Sequence, residues 1–344
     1  MTDKSIALDD SRAIPAPRRR APAARATPLW HLAGLVLLGL PLLLLHGSAY
    51  WVNVLAYAYL FGGLAAAWNI IGGFGGQFSL AHGVFFGIGA YMAALFFTKW
   101  GISPWITLIP AAAVGAAAAA LISWPTFRLR GPFFAIATMA VNEVAFVVAN
   151  YFDGITGGPR GVLVPFRAGL ANMIFLYPWQ YALLNLSFLV LAVAVSVLLM
   201  RSRLGYYLLA VREDEDAARS AGIAVLAVKI KGMALSAGLT AVGGALFAMF
   251  IRVIDPPTLF SLQDVGVKFA LLTLIGGLGT IWGPVVGALV IVPIENMLRA
   301  TLTGLWPGAH LAILGTVMIL SALFMKRGIV GSVIALRRRL ARPA

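Results

Sequence analysis

Ten apolar segments divide this 344-residue chain, at 29–46, 53–71, 79–98, 103–124, 132–152, 180–200, 231–251, 264–279, 282–299 and 310–325. Crossing ~30 Å of hydrocarbon takes about 20 helical residues, and most of the segments are long enough. No other feature constrains the fold as strongly. A backbone in lipid must satisfy its own N–H and C=O groups, so only helices or a closed barrel can span. Barrel strands alternate over about ten residues, and these segments do not alternate. The expectation is an all-α polytopic membrane protein with about ten transmembrane helices. The eighth segment is short, which predicts a re-entrant or broken helix.

Composition closes the soluble alternative. The chain is 61% hydrophobic and 11% charged, against about 45–50% and about 25% in ordinary globular proteins. The net charge of +14 would suit nucleic acid, but its distribution reads as topology. With the N-terminus inside, the inner side receives the N-terminal arginines, Arg128, Arg130, the set from Arg201 to Lys231 and the basic C-terminal tail. The outer side keeps Lys99, Arg160, Arg167, Arg252 and Arg299. That asymmetry predicts both termini in the cytoplasm and an even span count. Eight spans satisfy the same parity if two segments lie only partly in the membrane. The surrounding partner is lipid, with no nucleic acid. Residues 1–28 form a Pro/Ala/Arg-rich tail expected to be disordered, and 327–344 form a second basic tail. Between them, 29–326 make the transmembrane domain, with its main polar loop at 201–230. The segment at 29–46 reads as a retained span rather than a signal core. The chain has no cysteine, which excludes disulfides, thiol catalysis and cysteine metal sites.

Glycine is concentrated where the pattern otherwise says lipid. In "IGGFGGQ", Gly72, Gly73, Gly75 and Gly76 occupy four of five positions, and a continuous helix is not expected there. "IGGLGTIWG" repeats the opening with Gly276, Gly277 and Gly279. Broken backbone survives at membrane depth only where protein or water satisfies it. Paired interruptions in two halves of a membrane chain point to a transport site, although two glycine-rich segments also resemble each other by chance. Downstream, Gly83 and Gly87 recur at helical spacing and read as close helix packing. A phosphate cradle is excluded, because the required Gly-Lys-[Ser/Thr] end has no counterpart: the chain contains no Gly-Lys pair. Any ATP-driven work then needs a separate nucleotide-binding subunit.

Polar side chains at membrane depth are the candidate pathway. Asn69, Gln77, Ser79 and His82 flank the first break. On a helix advancing 100° per residue, Thr138, Asn142, Glu143 and Asn150 fall within an arc of roughly 140°. A carboxylate in lipid is expensive, so this face is expected to look toward protein or water. It either lines a path or glues helices. Lys268 is expected to snorkel or to pair with Glu295 or Asp264. His82 has no second ligand at metal spacing, and no hydrolytic triad or metal helix is present, so neither a metal site nor an enzyme is expected. The loop at 153–179 should form a structured outer cap.

The polar loop contains "VREDEDAARSAGI", read as a short helix with a Glu215–Arg219 i, i+4 pair. Val211, Ala218, Ala221, Gly222 and Val225 are expected on its other face. Such a shallow face suits docking into a groove on another protein, or else the loop is a solvated connector on the membrane surface.

Five ordered blocks carry a resemblance: "WNIIGGFGGQFSLAHGVFFGIGAYMAAL", "RLRGPFFAIATMAVNEV", "TGGPRGV", "LGYYLLAVREDEDAARSAGI" and "IGGLGTIWGPVVGA". Together they resemble the LivM-type permeases of branched-chain amino acid ABC transporters over about 51–299. The resemblance implies a type II-like importer fold in the bacterial inner membrane. It implies that Glu213, Asp214, Ala217, Ala218 and Gly222 belong to the loop that couples to the ATPases. It also implies a LivH-like second permease, two LivG- and LivF-like ATPase subunits holding ATP and Mg, and a periplasmic solute-binding protein. The chain itself would bind no cofactor. Related importers carry urea, short amides or aromatic acids, and Lys268 stands where the family pattern has a small or apolar residue. The rival of another class is a stand-alone proton-coupled transporter using Glu143 or Lys268.

Overall fold

The computed structural model describes residues 28–45, 47–302, 312–313, 315–316 and 328–332. The described part of the chain is a helical bundle. Helix α1 covers Pro28–Leu45, α2 Ala49–Asn69, α3 His82–Trp100, α4 Pro104–Thr126 and α5 Pro132–Tyr151. A short α6, Asp153–Thr156, opens an irregular segment that contains β1, Val162–Leu163. Then come α7 Pro178–Arg201, α8 Arg203–Glu213, α9 Glu215–Ser220 and α10 Val225–Ile251. Strand β2, Val253–Ile254, leads into α11 Pro256–Leu259, α12 Lys268–Gly277 and α13 Gly283–Leu302.

Eight helical stretches among the described residues are long and apolar enough to cross a membrane. They match the second to ninth expected segments in order. The first expected segment corresponds to α1, which is not among those eight, and the tenth, 310–325, lies outside the described residues. The short eighth segment proves to be a 22-residue stretch, Pro256–Gly277, built in three pieces. Helix α11 passes into a π-helical turn at Leu262–Val267 and then into α12. Asp255 and Ser261 cap these pieces: an Asp255 carboxylate oxygen accepts from Thr258 N at 2.8 Å and Ser261 Oγ from Asp264 N at 3.0 Å.

Helix α2 is the hub. It packs against α7, α13, α10 and α12, and Tyr59, Leu60, Leu64 and Trp68 are fully buried. Its composition allows this, because a helix apolar on every side is at home inside a bundle. Helix α10 lies against α3 and α4. Small residues set that spacing: a Cβ on Gly89 would overlap the Ala241 carbonyl, and one on Gly244 the Phe86 carbonyl. Helices α4 and α5 are peripheral and leave Ile106, Ile109, Leu121, Ile136 and Val144 exposed, as lipid-facing side chains would be.

The two ends of the bundle differ. One carries α8 and α9, together with the α4–α5 turn and both glycine segments. Gly328 returns to this end, set against Gly276 and Gly277. The other carries the segment after α5, the expected cap. There β1 pairs antiparallel with β2, Val162 opposite Ile254, and Val164 N donates to Arg252 O at 2.8 Å. Trp105 Nε1 donates to Leu170 O at 2.7 Å.

Candidate functional site

The two glycine breaks meet at the α8–α9 end. Helix α2 does not stop at its first glycines, as the sequence pattern suggested. It continues as a π-helical turn through Ile70–Phe74, so Gly72 and Gly73 are helical and the break begins at Gly75. The absence of Cβ atoms explains the wider turn, since substituents on Gly72 and Gly73 would overlap Trp68 and Asn69 one turn earlier. Gly75 N donates to Ile70 O at 3.2 Å and Gln77 N to Ile71 O at 3.0 Å. Gly76, at φ 67, then turns the chain back along α2. Likewise Gly276 and Gly277 end α12, and the second break opens at Leu278 and Gly279, the latter at φ 71.

Asn69 joins the breaks. Its Oδ1 accepts from Gly279 N at 3.0 Å and its Nδ2 donates to Thr280 O at 2.9 Å. It is 1% exposed. The other polar residues singled out by sequence hold irregular backbone in place. Trp68 Nε1 donates to Ser79 O at 2.8 Å, Ala81 N to Ser79 Oγ at 3.3 Å, and Leu80 N to Thr138 Oγ1 at 3.0 Å. Asn142 Nδ2 donates to Phe260 O at 2.7 Å, fixing α5 to the residue after α11. Ser236 Oγ donates to Ala67 O at 2.7 Å and lies 2.9 Å from His82 Nε2. A hydroxyl has one proton, so His82 must donate from Nε2, and its Nδ1 is buried without a partner. In this conformation Ser79 and Thr138 hold the extended backbone after the first break, while His82 ties α3 to α10 and Asn142 ties α5 to Phe260. The reason is general: extended backbone at membrane depth needs side chains to satisfy it.

Glu143 differs from its neighbours. Thr138 and Asn142 are buried, whereas Glu143 is exposed on the outer face of α5. The arc expected from sequence is thus split, and its carboxylate looks away from this chain.

The polar loop is two helices rather than one. Ser202 caps α8 by accepting from Gly205 N at 3.3 Å, and one Asp214 carboxylate oxygen caps α9 by accepting from Asp216 N at 2.9 Å and Ala217 N at 3.0 Å. The expected Glu215–Arg219 pair does not form. Arg219 bonds Asp216 at 3.1 Å, and Glu215 pairs with Lys229, which is 1% exposed on its side chain. Gln77 Nε2 also donates to Glu215 at 3.2 Å. A buried ammonium demands a carboxylate more strongly than an exposed arginine does. Arg130, from the α4–α5 turn, bonds both Asp216 oxygens at 3.0 and 3.2 Å. That hydrogen bond and its charge hold the Asp216 carboxyl below its usual range, with Arg219 adding to the effect. Of the expected docking face, Val211, Ala218 and Val225 are buried against their own chain, and Ala221 and Gly222 are exposed beside Ala217 and Glu213.

Sequence reasoning missed Lys229, Arg130 and Arg212 as individual actors, since it counted them only as topology charges. Lys229 was legible only as a cation just before the apolar segment at 231–251. Lys268 pairs with Glu295 at 2.6 Å and lies 4.4 Å from the centre of the Phe61 ring. Among the described residues, no group of three His, Asp or Glu could hold a metal ion.

A helical bundle with eight candidate spans and glycine-broken helices meeting beside the short α8–α9 unit is that of a polytopic membrane protein. Residues 50–322 match the family described as branched-chain amino acid transport system / permease component, and the chain belongs to that family. It is 29% identical over 289 residues to the high-affinity branched-chain amino acid transport system permease protein LivM of Salmonella typhimurium, covering 76% of this chain and 65% of that protein's length. It is 28% identical over 306 residues to LivM of Escherichia coli K12, covering 81% of this chain and 69% of that protein. LivH of Escherichia coli K12 is 26% identical over 291 residues, covering 78% of this chain and 90% of that protein. No solved structure matches the chain.

Proposed function

We propose that this chain is a permease subunit of an ATP-driven importer in the bacterial inner membrane, carrying branched-chain amino acids or a related small polar solute. Its companions would be a LivH-like permease, two LivG- and LivF-like ATPases that hold ATP and Mg, and a periplasmic binding protein. The observation that carries the reading is the α8–α9 unit. It exposes Ala217, Ala221 and Gly222 while its inner side grips the first glycine break through Glu215 and Gln77. A small exposed helix tied to a broken membrane helix is suited to passing an outside motion into the bundle. The LivM and LivH relatives support the same class and a paired permease.

Glu143 fits this assembly. A carboxylate on the outer face of a membrane helix is unfavourable against lipid, and a second permease covering α5 would give it protein or water, placing it along the path. Lys268 is balanced by Glu295, so it does not stand free to redefine the solute. Both termini lie in the cytoplasm in this reading.

The test is co-purification from native membranes in mild detergent. Gly222 has open space around it, so Gly222→Arg adds bulk at the docking face, although its φ of 83 disfavours any side chain. Ala221→Arg, at φ −79, makes the same test without backbone strain. The expected result is recovery of a second permease and two ATPases with the wild type and loss of the ATPases with Ala221→Arg. A solitary wild-type chain that still transports alone would end the reading in favour of Glu143 as a proton carrier.

A further inference from the structure

We propose that Arg212 is the positioning residue that couples the loop to both glycine breaks at once. The inference rests on the importer reading above, and it concerns a residue outside the exposed docking face.

Arg212 lies in the last turn of α8, just before the Asp214 cap of α9. Its Nη1 donates to Gly73 O at 2.8 Å. The same guanidinium occupies the space that a side chain on Gly279 would need, and a Cβ on Gly76 would come within 2.9 Å of Arg212 Cγ. One arginine therefore fills a notch lined by glycines of both breaks. Electrostatics favours it there. The π-helical turn ending α2 and the end of α12 both converge on this point, and a helix C-terminus carries roughly half a negative charge. Arg212 makes no ion pair with any described carboxylate, and it donates instead to Gly73 O in the π-helical turn that ends α2.

The geometry accounts for the glycines in a way that helix breaking alone does not. Gly76 and Gly279 are where the arginine passes. Asn69 bolts the second break to the first through Gly279 and Thr280. Glu215, on α9, holds Gln77 and Lys229. The loop therefore grips the first break at Gly73 and Gln77, and through Arg212 and Asn69 the second break moves with it. Displacing α8 and α9 moves the ends of α2 and α12 together, and both of these helices pack on α13.

The test uses the assembled transporter in proteoliposomes containing the binding protein, with solute uptake and ATP hydrolysis measured on the same sample. Arg212→Gln should leave subunit recovery and hydrolysis near wild type and lower uptake per ATP by about tenfold, within the range of measured coupling energies. Uptake per ATP unchanged in Arg212→Gln overturns the proposal, as does a loss of uptake matched by an equal loss of assembled complex. If Arg212→Gln does not assemble, Arg212→Lys decides: a ratio below wild type supports a need for the guanidinium, and a wild-type ratio overturns it. A wild-type chain that recovers no ATPase instead overturns the importer reading, and the coupling role falls with it.

Discussion

Ile71–Gly75 and Ile275–Gly279 carry the same Ile-Gly-Gly-x-Gly pattern, yet the chain leaves them differently. After Gly75, six residues run back along α2 before α3 begins at His82. After Gly279, three residues suffice before α13 begins at Gly283. The residues downstream of the glycines decide the path. At the second break, Thr280 Oγ1 donates to Gly277 O at 2.7 Å and accepts from Gly283 N at 3.0 Å, closing a tight turn. Pro284, with its fixed φ, stands at the start of α13 and suits a helix N-terminus. At the first break, Gln77, Ser79 and Trp68 each reach a partner that holds the chain extended. Shared glycines permit a break, and the neighbouring hydrogen-bonding residues choose its form.

The contacts around the glycines also differ. Added Cβ atoms at the first break meet chiefly side chains, those of Trp68, Asn69 and Arg212, whereas at Gly276 they meet the Gly283 carbonyl. Backbone yields less than side chains do. Gly276→Ala is expected to have the largest effect, a loss of roughly 3 kcal/mol from overpacking, seen as collapse of the monodisperse peak or a large fall in Tm. Gly72→Ala should cost less. Equal losses at the two positions would mean that a backbone wall and a side-chain wall resist a methyl group alike.

Asn69→Ala is the next largest. It strips two bonds that tie the breaks together and leaves Gly279 N and Thr280 O without side-chain partners, at about 1–3 kcal/mol. Hydrogen exchange should speed up at Gly279 more than at Ala81, whose partner Ser79 is untouched. Uniform acceleration at both would mean that the breaks do not behave as separate units.

The smallest effect concerns pH. Asp216 is held below its usual carboxyl range by Arg130 and then Arg219. A depressed carboxyl contributes stability that is present above its unfolded value, near 3.8, and is lost as pH falls through the folded value. Both partners are well exposed, so the contribution is slight. The protection of α9 amides should fall in acid before that of the Asn69 junction, which has no titrating group. Simultaneous loss would place the acid-sensitive contact elsewhere.

Much was legible from the chain. Apolar length marked the helices because about 20 residues must face or cross hydrocarbon, and glycine clustering marked both breaks because glycine is the residue that helices tolerate least apart from proline. The Lys268–Glu295 pair was among the expected partners, since a membrane cation seeks an acid. The course of the Glu143 arc was not legible. A helical wheel places Thr138, Asn142 and Glu143 within one arc, and only the position of α3 and Phe260 shows that the boundary of burial runs between Asn142 and Glu143. The expected Glu215–Arg219 pair failed for a similar reason. Local spacing cannot see Lys229, fourteen positions away in sequence, and a buried ammonium outcompetes a local exposed partner.

The sequence by itself determined the solvent, the class of fold, the order of the second to ninth spans and the two glycine-rich regions in which helices end. Those properties follow from local composition, since each segment alone either suits lipid or does not. Tertiary structure alone decided that the two breaks touch, that Asn69 joins them, and that Arg212 fills the notch between them. The separation of Asn69 from Gly279 is 210 residues, and no local pattern encodes a contact at that range. It arises because α2, α12 and α13 pack together, which brings the two helix ends to one cation, bonded to Gly73 O and set against Gly279.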